Sequence, residues 1–192
     1  MSDCYSKTYD WLVLGDSVSS GYGVDDEDLW VNKVHNNLSC PVELLNLSVQ
    51  GLTSKEGVYY LNHFYENNHA KNVIIELGGN DALRGLQLAA LQNNLAYLIN
   101  KALDEGSSVL LVAVDLPPNY GDIYIDRFQS VYNSLALSKN VPLVRLRFPK
   151  DLKFLQKDGL HPNVAGHNEI TDVMMPVLEA WLCTQTIVKE VV

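Results

Sequence analysis

The sequence contains three side chains that are able to act together on a substrate: a hydroxyl, an imidazole and a carboxylate. Ser17 follows an apolar run at 11–14, whereas Asp158 and His161 lie three residues apart near the other end of the chain. A serine hydroxyl becomes an effective nucleophile when a base removes its proton, and an imidazole titrates near neutral pH. The base in turn needs a carboxylate that fixes its tautomer. Ser17, His161 and Asp158 are therefore the candidate catalytic residues.

Two aspartates are available as the carboxylate, and their positions favour Asp158. Asp16 is adjacent to Ser17, and adjacent residues on one turn point in different directions. Asp158 precedes His161 by three residues, and Gly159 between them permits an unusual turn. We predict that Asp158 orients His161, and that Asp16 caps the turn or accepts hydrogen bonds from its backbone N–H groups.

The elements that must position these residues alternate between short apolar runs and stretches with helical periodicity. A continuously apolar run such as 109–114 is typical of a strand buried on both faces of a parallel sheet. Strands are predicted at 11–14, 42–47, 73–77, 108–114 and 141–146. Helices are predicted near 27–38, 54–67, 86–104, 123–139 and 163–183. Right-handed crossovers between them indicate the α/β class, as a flavodoxin-like, three-layer α/β/α sandwich with a five-stranded parallel sheet.

Two local patterns specify helices more closely. Thr53 and Glu56 have the spacing of a capping box at the start of the second helix. In the third helix a stripe of apolar residues is expected to face the core. The stripe comprises Leu88, Leu91, Leu95, Leu98, Ile99, Ala102 and Leu103.

Polar blocks follow the predicted strands, and all strand-to-helix loops of a parallel sheet open at the same edge. The blocks are Gly15-Asp16-Ser17, Asn46-Leu-Ser48-Val-Gln-Gly51, Gly78-Gly79-Asn80-Asp81 and Asp158-Gly-Leu-His161-Pro162. Together they resemble the SGNH (GDSL-type) hydrolases, over nearly the whole chain. The segments 76–85 and 116–121 are similar to the bacterial acyl-CoA thioesterase, lysophospholipase and arylesterase branch.

The resemblance implies a hydrolase that cleaves acyl esters and thioesters through an acyl-enzyme on Ser17. His161 and Asp158 complete the implied triad. The implied oxyanion hole consists of the backbone N–H of Ser17, the backbone N–H of Gly51 and the side-chain amide of Asn80. The family acts on lipid-type esters and implies neither a cofactor nor a metal ion.

Further residues on the loops at this edge are candidate substrate-binding residues. They are Leu83, Arg84, Leu86, Leu116, Pro117 and Tyr120. The apolar side chains could border an acyl groove or pack the loops together. Arg84 is either a surface residue or a contact for a carboxylate or phosphate headgroup.

Two alternatives to an ester and thioester hydrolase are open at this stage. A carbohydrate O-acetylesterase shares the catalytic blocks and prefers a small acyl group. A non-catalytic flavodoxin-like module would use the same sheet edge for a ligand, but His161 and Asn80 have no reason to accompany Ser17 there.

Composition limits the partners. The formal net charge is −9, which argues against nucleic acid or an anionic membrane. No apolar stretch approaches the roughly 20 residues that span a bilayer. We therefore expect a small-molecule substrate and a monomer, and we interpret the acidic run 25–28 as a helix N-terminus. The compartment is open: periplasmic if a leader has been removed, otherwise cytoplasmic.

The chain length of 192 residues suits one domain, 1–192, with 184–192 as a possible tail. Cys4, Cys40 and Cys183 lie far apart and are odd in number. Free thiols are the first expectation, and a single long-range disulfide is the alternative.

Overall fold

The computed structural model describes residues 7–146 and 152–184. Its sheet has five strands, all parallel, in the order β2-β1-β3-β4-β5. The strands are β1 (Lys7–Gly15), β2 (Leu44–Asn46), β3 (Asn68–Glu76), β4 (Ser108–Val114) and β5 (Leu143–Leu146). The predicted α/β class with a five-stranded parallel sheet is confirmed. β1 and β3 begin earlier than predicted, because Lys7 pairs with Asn68 ahead of the apolar cores of both strands.

Seven helices flank this sheet within the described residues. They are α1 (Ser17–Ser20), α2 (Trp30–Asn37), α3 (Ser54–Tyr65), α4 (Gly79–Leu83), α5 (Leu88–Asp104), α6 (Asp122–Lys139) and α7 (Val164–Leu178). Short 3₁₀ turns occupy Pro118–Tyr120 and Leu152–Phe154, and a π-helical turn at Glu179–Cys183 extends α7. The helices α1 and α4 were not predicted, because four or five residues are too few to show helical periodicity.

The core consists of two buried clusters, one on each face of the sheet. β1 contributes to both, because successive side chains of a strand point to opposite faces. Leu12 and Leu14 pack in the cluster on the face of α3, α5 and α6, whereas Trp11 and Val13 pack in the cluster on the face of α2 and α7. This arrangement is the three-layer sandwich expected from the sequence.

The capping box of α3 is present, with the Thr53 side chain accepting from the Glu56 N–H and the Glu56 carboxylate accepting from the Thr53 N–H.

The core-facing apolar stripe of α5 contains one residue fewer than predicted. Leu103 is 39% exposed, although Ala102 beside it is fully buried. Leu103 is about 100° further around the helix than Ala102, which places it at the edge of the buried stripe.

A disulfide joins Cys40 to Cys183, with a Cα–Cα distance of 5.5 Å. The expectation of free thiols was therefore wrong for this pair, whereas Cys4 lies outside the described residues. The bridge joins the loop after α2 to the end of the π-helical turn. The helices α2 and α7 pack together on one face of the sheet. The fold therefore brings the two cysteines close together, although 143 positions separate them in sequence.

Residues 185–192 of the possible tail lie outside the described residues.

Removing this bridge is expected to destabilise the fold. Loop-closure entropy over 143 residues, together with typical measurements, gives a loss of about 2–5 kcal/mol in the free energy of unfolding. Urea unfolding of the double variant Cys40→Ser/Cys183→Ser, with and without reductant, measures this loss. Reductant should lower the wild-type stability to that of the variant and leave the variant unchanged. Equal stability of the oxidised wild type and the variant would contradict the prediction.

No helix in the described ranges is both long enough and apolar enough to cross a bilayer.

Candidate active site

Ser17 lies where β1 turns sharply into α1. Asp16 caps this helix, and its Oδ1 accepts a hydrogen bond from the Val18 N–H at 3.1 Å, which confirms the predicted role of Asp16. The turn needs glycine at position 15, because a Cβ there would lie 2.7 Å from Glu76 Oε2 and 2.8 Å from the Ser19 Cβ. The serine is thereby held at the carboxyl edge of the sheet, in the first turn of the helix.

The three candidate catalytic side chains form one continuous hydrogen-bonded chain. His161 Nε2 lies 3.0 Å from Ser17 Oγ, although the two residues are 144 positions apart in sequence. His161 Nδ1 lies 2.7 Å from Asp158 Oδ2. A carboxylate at Nδ1 accepts the proton of that nitrogen and leaves Nε2 free to accept the serine proton. The geometry is that of an activated hydroxyl.

Asp158 is fixed by its own loop. Its Oδ1 accepts hydrogen bonds from the backbone N–H groups of Leu160 at 2.9 Å and His161 at 3.0 Å, and Gly159 adopts a positive φ of 67°. Desolvation acts to raise the pKa of Asp158, but hydrogen bonds from the His161 ring and these backbone groups outweigh it and lower the pKa to about 2. Asp158 is therefore ionised at neutral pH, as stabilisation of an imidazolium requires.

Two buried carboxylates support the turn at Ser17. Glu76, at the end of β3, accepts hydrogen bonds through Oε2 from Ser19 Oγ at 2.8 Å and from the Asp16 N–H at 3.4 Å. Burial and the nearby Asp16 carboxylate raise the pKa of Glu76 well above its usual range. Burial also raises the pKa of Asp16 to about 6, against the hydrogen bonds from Val18 and Asn80. The pair supports the turn and is not hydrogen-bonded to His161.

Asn80 projects from α4, which follows a tight turn at Gly78. That glycine has a φ of 119°, and a Cβ there would lie 2.1 Å from the Tyr132 hydroxyl. Asn80 Nδ2 donates to Asp16 Oδ2 at 2.9 Å, which fixes the amide while leaving its second N–H available to a ligand. Asp81 anchors the helix by accepting from the Ser54 N–H at 2.8 Å and the Ser54 hydroxyl at 2.6 Å.

Gly51 lies on the loop after β2 with a φ of 74°. Its carbonyl accepts a hydrogen bond from Arg84 Nη2 at 2.6 Å, so the loop of Gly51 is tied to the end of α4. Gly51, Asn80, Ser17 and His161 all border the same pocket of about 390 Å³. The fold therefore brings all the candidate triad and oxyanion residues together. Asp158 does not line the pocket itself but is hydrogen-bonded to His161, which does.

Three of the six candidate substrate-binding residues line the pocket in the structure, and three do not. Leu83, Leu116 and Pro117 line the pocket. Three do not: Arg84, Leu86 and Tyr120. Arg84 is directed to the Gly51 carbonyl, Leu86 is 43% exposed on the loop before α5, and the Tyr120 hydroxyl donates to the Leu83 carbonyl at 3.3 Å. Tyr120 therefore supports a lining residue and does not line the pocket itself.

Several lining residues were absent from the predicted set. They are Asp16, Val18, Tyr22, Gln50, Gly79, Val114, Asp115 and Leu160. For Tyr22 and Leu160 a signal was present, because Tyr22 follows Ser17 by five residues and Leu160 lies between Asp158 and His161. Which of their side chains would face the pocket depends on backbone conformation that residue type does not show.

No group of His, Cys, Asp or Glu side chains within 7–146 and 152–184 has a metal-binding arrangement.

Comparison with known proteins places this site in a family. The model of the GDSL-like Lipase/Acylhydrolase family matches residues 13–168. The chain belongs to this family. It is accordingly a hydrolase of acyl esters, and the matched region runs from β1 to α7 and includes both ends of the hydrogen-bonded chain Ser17–His161–Asp158.

Characterised relatives agree with this family. The chain is 37% identical over 178 residues to Esterase TesA of Pseudomonas aeruginosa, covering 89% of this chain and 88% of the relative. It is 31% identical over 172 residues to Thioesterase 1/protease 1/lysophospholipase L1 of Escherichia coli strain K12, covering 88% of this chain and 82% of the relative.

Solved structures of such proteins share the fold. A crystal structure of TesA superposes with a TM-score of 0.81 at 36% identity, covering 90% of this chain and 98% of the other. The psychrotrophic esterase EstA from a Pseudoalteromonas species, in a structure inhibited by monoethylphosphonate, gives a TM-score of 0.80 at 30% identity, with coverage of 93% and 100%.

Proposed function

We propose that this GDSL-family hydrolase cleaves acyl esters and acyl thioesters through a covalent acyl-enzyme on Ser17. The observation that supports this most directly is the unbroken hydrogen-bonded chain from Ser17 Oγ through His161 to Asp158 Oδ2, at 3.0 and 2.7 Å. It opens into a pocket bordered by Gly51 and Asn80. Relatives named as esterase, thioesterase and lysophospholipase support both substrate classes.

In acylation, His161 Nε2 accepts the Ser17 proton as Ser17 Oγ forms a bond to the acyl carbon. The carbonyl oxygen becomes an oxyanion, and we assign its donors to the N–H groups of Ser17 and Gly51 and to the amide of Asn80. The carbon–oxygen or carbon–sulfur bond to the leaving group then breaks, and the imidazolium of His161 transfers its proton to the departing atom.

Deacylation repeats the sequence with water. His161 Nε2 removes a proton from water as the water oxygen attacks the acyl carbon, and the same donors stabilise the second oxyanion. The bond to Ser17 Oγ breaks, the fatty acid is released, and His161 returns the proton to Ser17. Asp158 remains ionised throughout, and its charge stabilises the imidazolium that forms in each half of the reaction.

Hydrolysis rates across a chain-length series test the substrate class. Purified protein is assayed on p-nitrophenyl esters from acetyl to palmitoyl and on the matching CoA thioesters. Turnover of both series, with acyl chains longer than acetyl preferred, is the expected result, since Leu83, Leu116 and Pro117 give the pocket apolar walls. Strict acetyl preference on an acetylated sugar would favour a carbohydrate O-acetylesterase. Absence of any hydrolysis would favour a binding module.

Replacing Asn80 with alanine is expected to lower kcat by about 10²–10³-fold, the usual cost of one oxyanion donor. KM should change little, because the donor acts mainly on charge that develops in the transition state. Steady-state kinetics on one ester of the series measure both constants. Asn93→Ala, an exposed asparagine on α5, is the matched control and should retain wild-type rates. Equal kcat in the two variants would remove Asn80 from the oxyanion hole.

A further inference from the structure

An aromatic residue contacts the ring of His161. The Tyr22 ring lies against the imidazole with a centroid separation of 4.4 Å and an interplanar angle of 45°. Tyr22 follows the αL residue Gly21, which ends α1 and turns the chain back toward the pocket. The nucleophile helix therefore supplies a second contact to the base, in addition to the Ser17 hydroxyl.

Gln156 connects the two segments that carry these rings. Its side-chain amide donates to the Tyr22 carbonyl at 2.7 Å and to the Pro162 carbonyl at 2.9 Å. Its backbone N–H donates to the His161 carbonyl at 2.7 Å, and its own carbonyl accepts from the Gly159 N–H at 3.0 Å. One residue thus closes the loop of Asp158 and His161 and ties that loop to the loop after α1.

The fit between Gln156 and the loop after α1 is close. Gly23 has a φ of 74°, and a Cβ there would lie 2.3 Å from Gln156 Oε1. A side chain at position 23 would therefore displace the Gln156 amide. The glycine is needed for the approach of the two loops as well as for its backbone conformation.

We propose that Tyr22 and Gln156 form a clamp that positions His161 for proton transfer with Ser17, a role that rests on the proposed function. We call these two residues the His161 clamp. Gln156 fixes the backbone on both sides of the imidazole, and Tyr22 limits the movement of its ring. Neither residue exchanges a proton with the substrate, so both are positioning residues.

The clamp has a mechanical and an electrostatic effect. His161 Nε2 must stay within hydrogen-bond reach of Ser17 Oγ, now at 3.0 Å, and a shift of about 1 Å in such a geometry can cost 10²-fold in rate. The imidazolium forms twice in each turnover. A cation within about 6 Å of an aromatic centroid is attracted by the ring quadrupole, and we expect the Tyr22 ring at 4.4 Å to favour that state.

Three variants test the clamp: Gln156→Leu, Tyr22→Leu and Tyr22→Phe. Gln156→Leu keeps the approximate side-chain size and removes both amide donors, and we expect kcat to fall about 10–100-fold. Tyr22→Leu should lower kcat about 3–30-fold, and Tyr22→Phe should restore most of that loss because it keeps the ring. The KM of Gln156→Leu and the melting temperatures of all three variants should change little. The rate at which a fluorophosphonate labels Ser17 should fall in parallel with kcat.

Controls separate positioning from general structural damage. Gln92→Leu on α5 and Tyr59→Leu on α3 replace the same residue types at exposed positions and should keep wild-type kcat and labelling rates. The double variant Tyr22→Leu/Gln156→Leu should lose less than the product of the two single losses, because both residues act through His161.

Two results would overturn the proposal that these residues position His161. Wild-type kcat and labelling in Gln156→Leu and Tyr22→Leu would do so, as would equal losses in Tyr22→Leu and Tyr22→Phe. If Gln156→Leu does not fold, Tyr22→Leu decides, since its ring is already 40% exposed and its loss leaves the core intact. A wild-type protein that hydrolyses no ester contradicts the proposed function instead, so the two failures are distinguishable.

Discussion

Ser17→Ala is expected to lower kcat for ester and thioester hydrolysis by about 10⁴–10⁶-fold, the range seen when a catalytic serine is removed. The variant cannot form the acyl-enzyme, because it lacks the Oγ that lies 3.0 Å from His161 Nε2 and would carry the acyl group. The fold should be unaffected, since the Asp16 cap on Val18 and the Ser19 bond to Glu76 do not involve the Ser17 hydroxyl. Kinetics, fluorophosphonate labelling and thermal melting measure these three effects.

A neighbouring serine provides the control for this variant. Ser20 lies on the same short helix, and Ser20→Ala should retain hydrolysis and labelling. Retention of full activity in Ser17→Ala would exclude Ser17 as the nucleophile. Loss of activity accompanied by a large fall in melting temperature would point to a structural role instead, and labelling of a different residue would identify the true nucleophile.

Asp158→Asn is expected to lower kcat by about 10⁴-fold with the fold retained. An asparagine amide can donate to His161 Nδ1 and so favour the tautomer whose Nε2 carries a proton and cannot accept one from Ser17. The variant also loses the negative charge that stabilises the imidazolium, and in the wild type a pKa of about 2 keeps that charge at all pH values above roughly 4. Steady-state kinetics at pH 7, with circular dichroism as a check of folding, measure the effect.

Asp16→Asn is the informative comparison, because Asp16 is the other aspartate near the nucleophile. An asparagine can still cap α1, but it cannot accept from both Val18 and Asn80 as the carboxylate does. We expect a loss of about 10–100-fold through the position of Asn80, which is far less than in Asp158→Asn. The opposite order of the two losses would transfer the acid of the triad from Asp158 to Asp16.

Much of the fold could be predicted because its determinants are local. The run 109–114 is apolar throughout because β4 is covered on both faces, and Thr53 and Glu56 form a capping box because both partners lie within one helical turn. Predictions were wrong where the determinant was not local. Cys40 and Cys183 are joined only because α2 and α7 pack on the same face. The helix α1 was not predicted for a different reason, since its four residues are too few for any periodic pattern.

The candidate site shows the same division. Ser17, Asp158 and His161 were proposed from residue type and spacing, and among the candidate substrate-binding residues Leu83, Leu116 and Pro117 line the pocket. Arg84 and Tyr120 do not line it, and each directs its polar group to a backbone carbonyl of a neighbouring loop. Loop conformation decides such contacts, and composition does not specify it.

By itself the sequence determined the class of chemistry, the turn at Ser17 and the parallel sheet that presents it, since apolar runs and short polar blocks depend on nearby residues. Only the tertiary structure decided how His161 meets Ser17 across 144 positions, how Asp16 meets Asn80, and how the Tyr22 ring, held by Gln156 at its carbonyl, meets the His161 ring. The physical reason is that these contacts join loops which are distant in sequence. The parallel strands bring the loops to one edge, and their side-chain packing and hydrogen bonds then set the distances on which proton transfer depends.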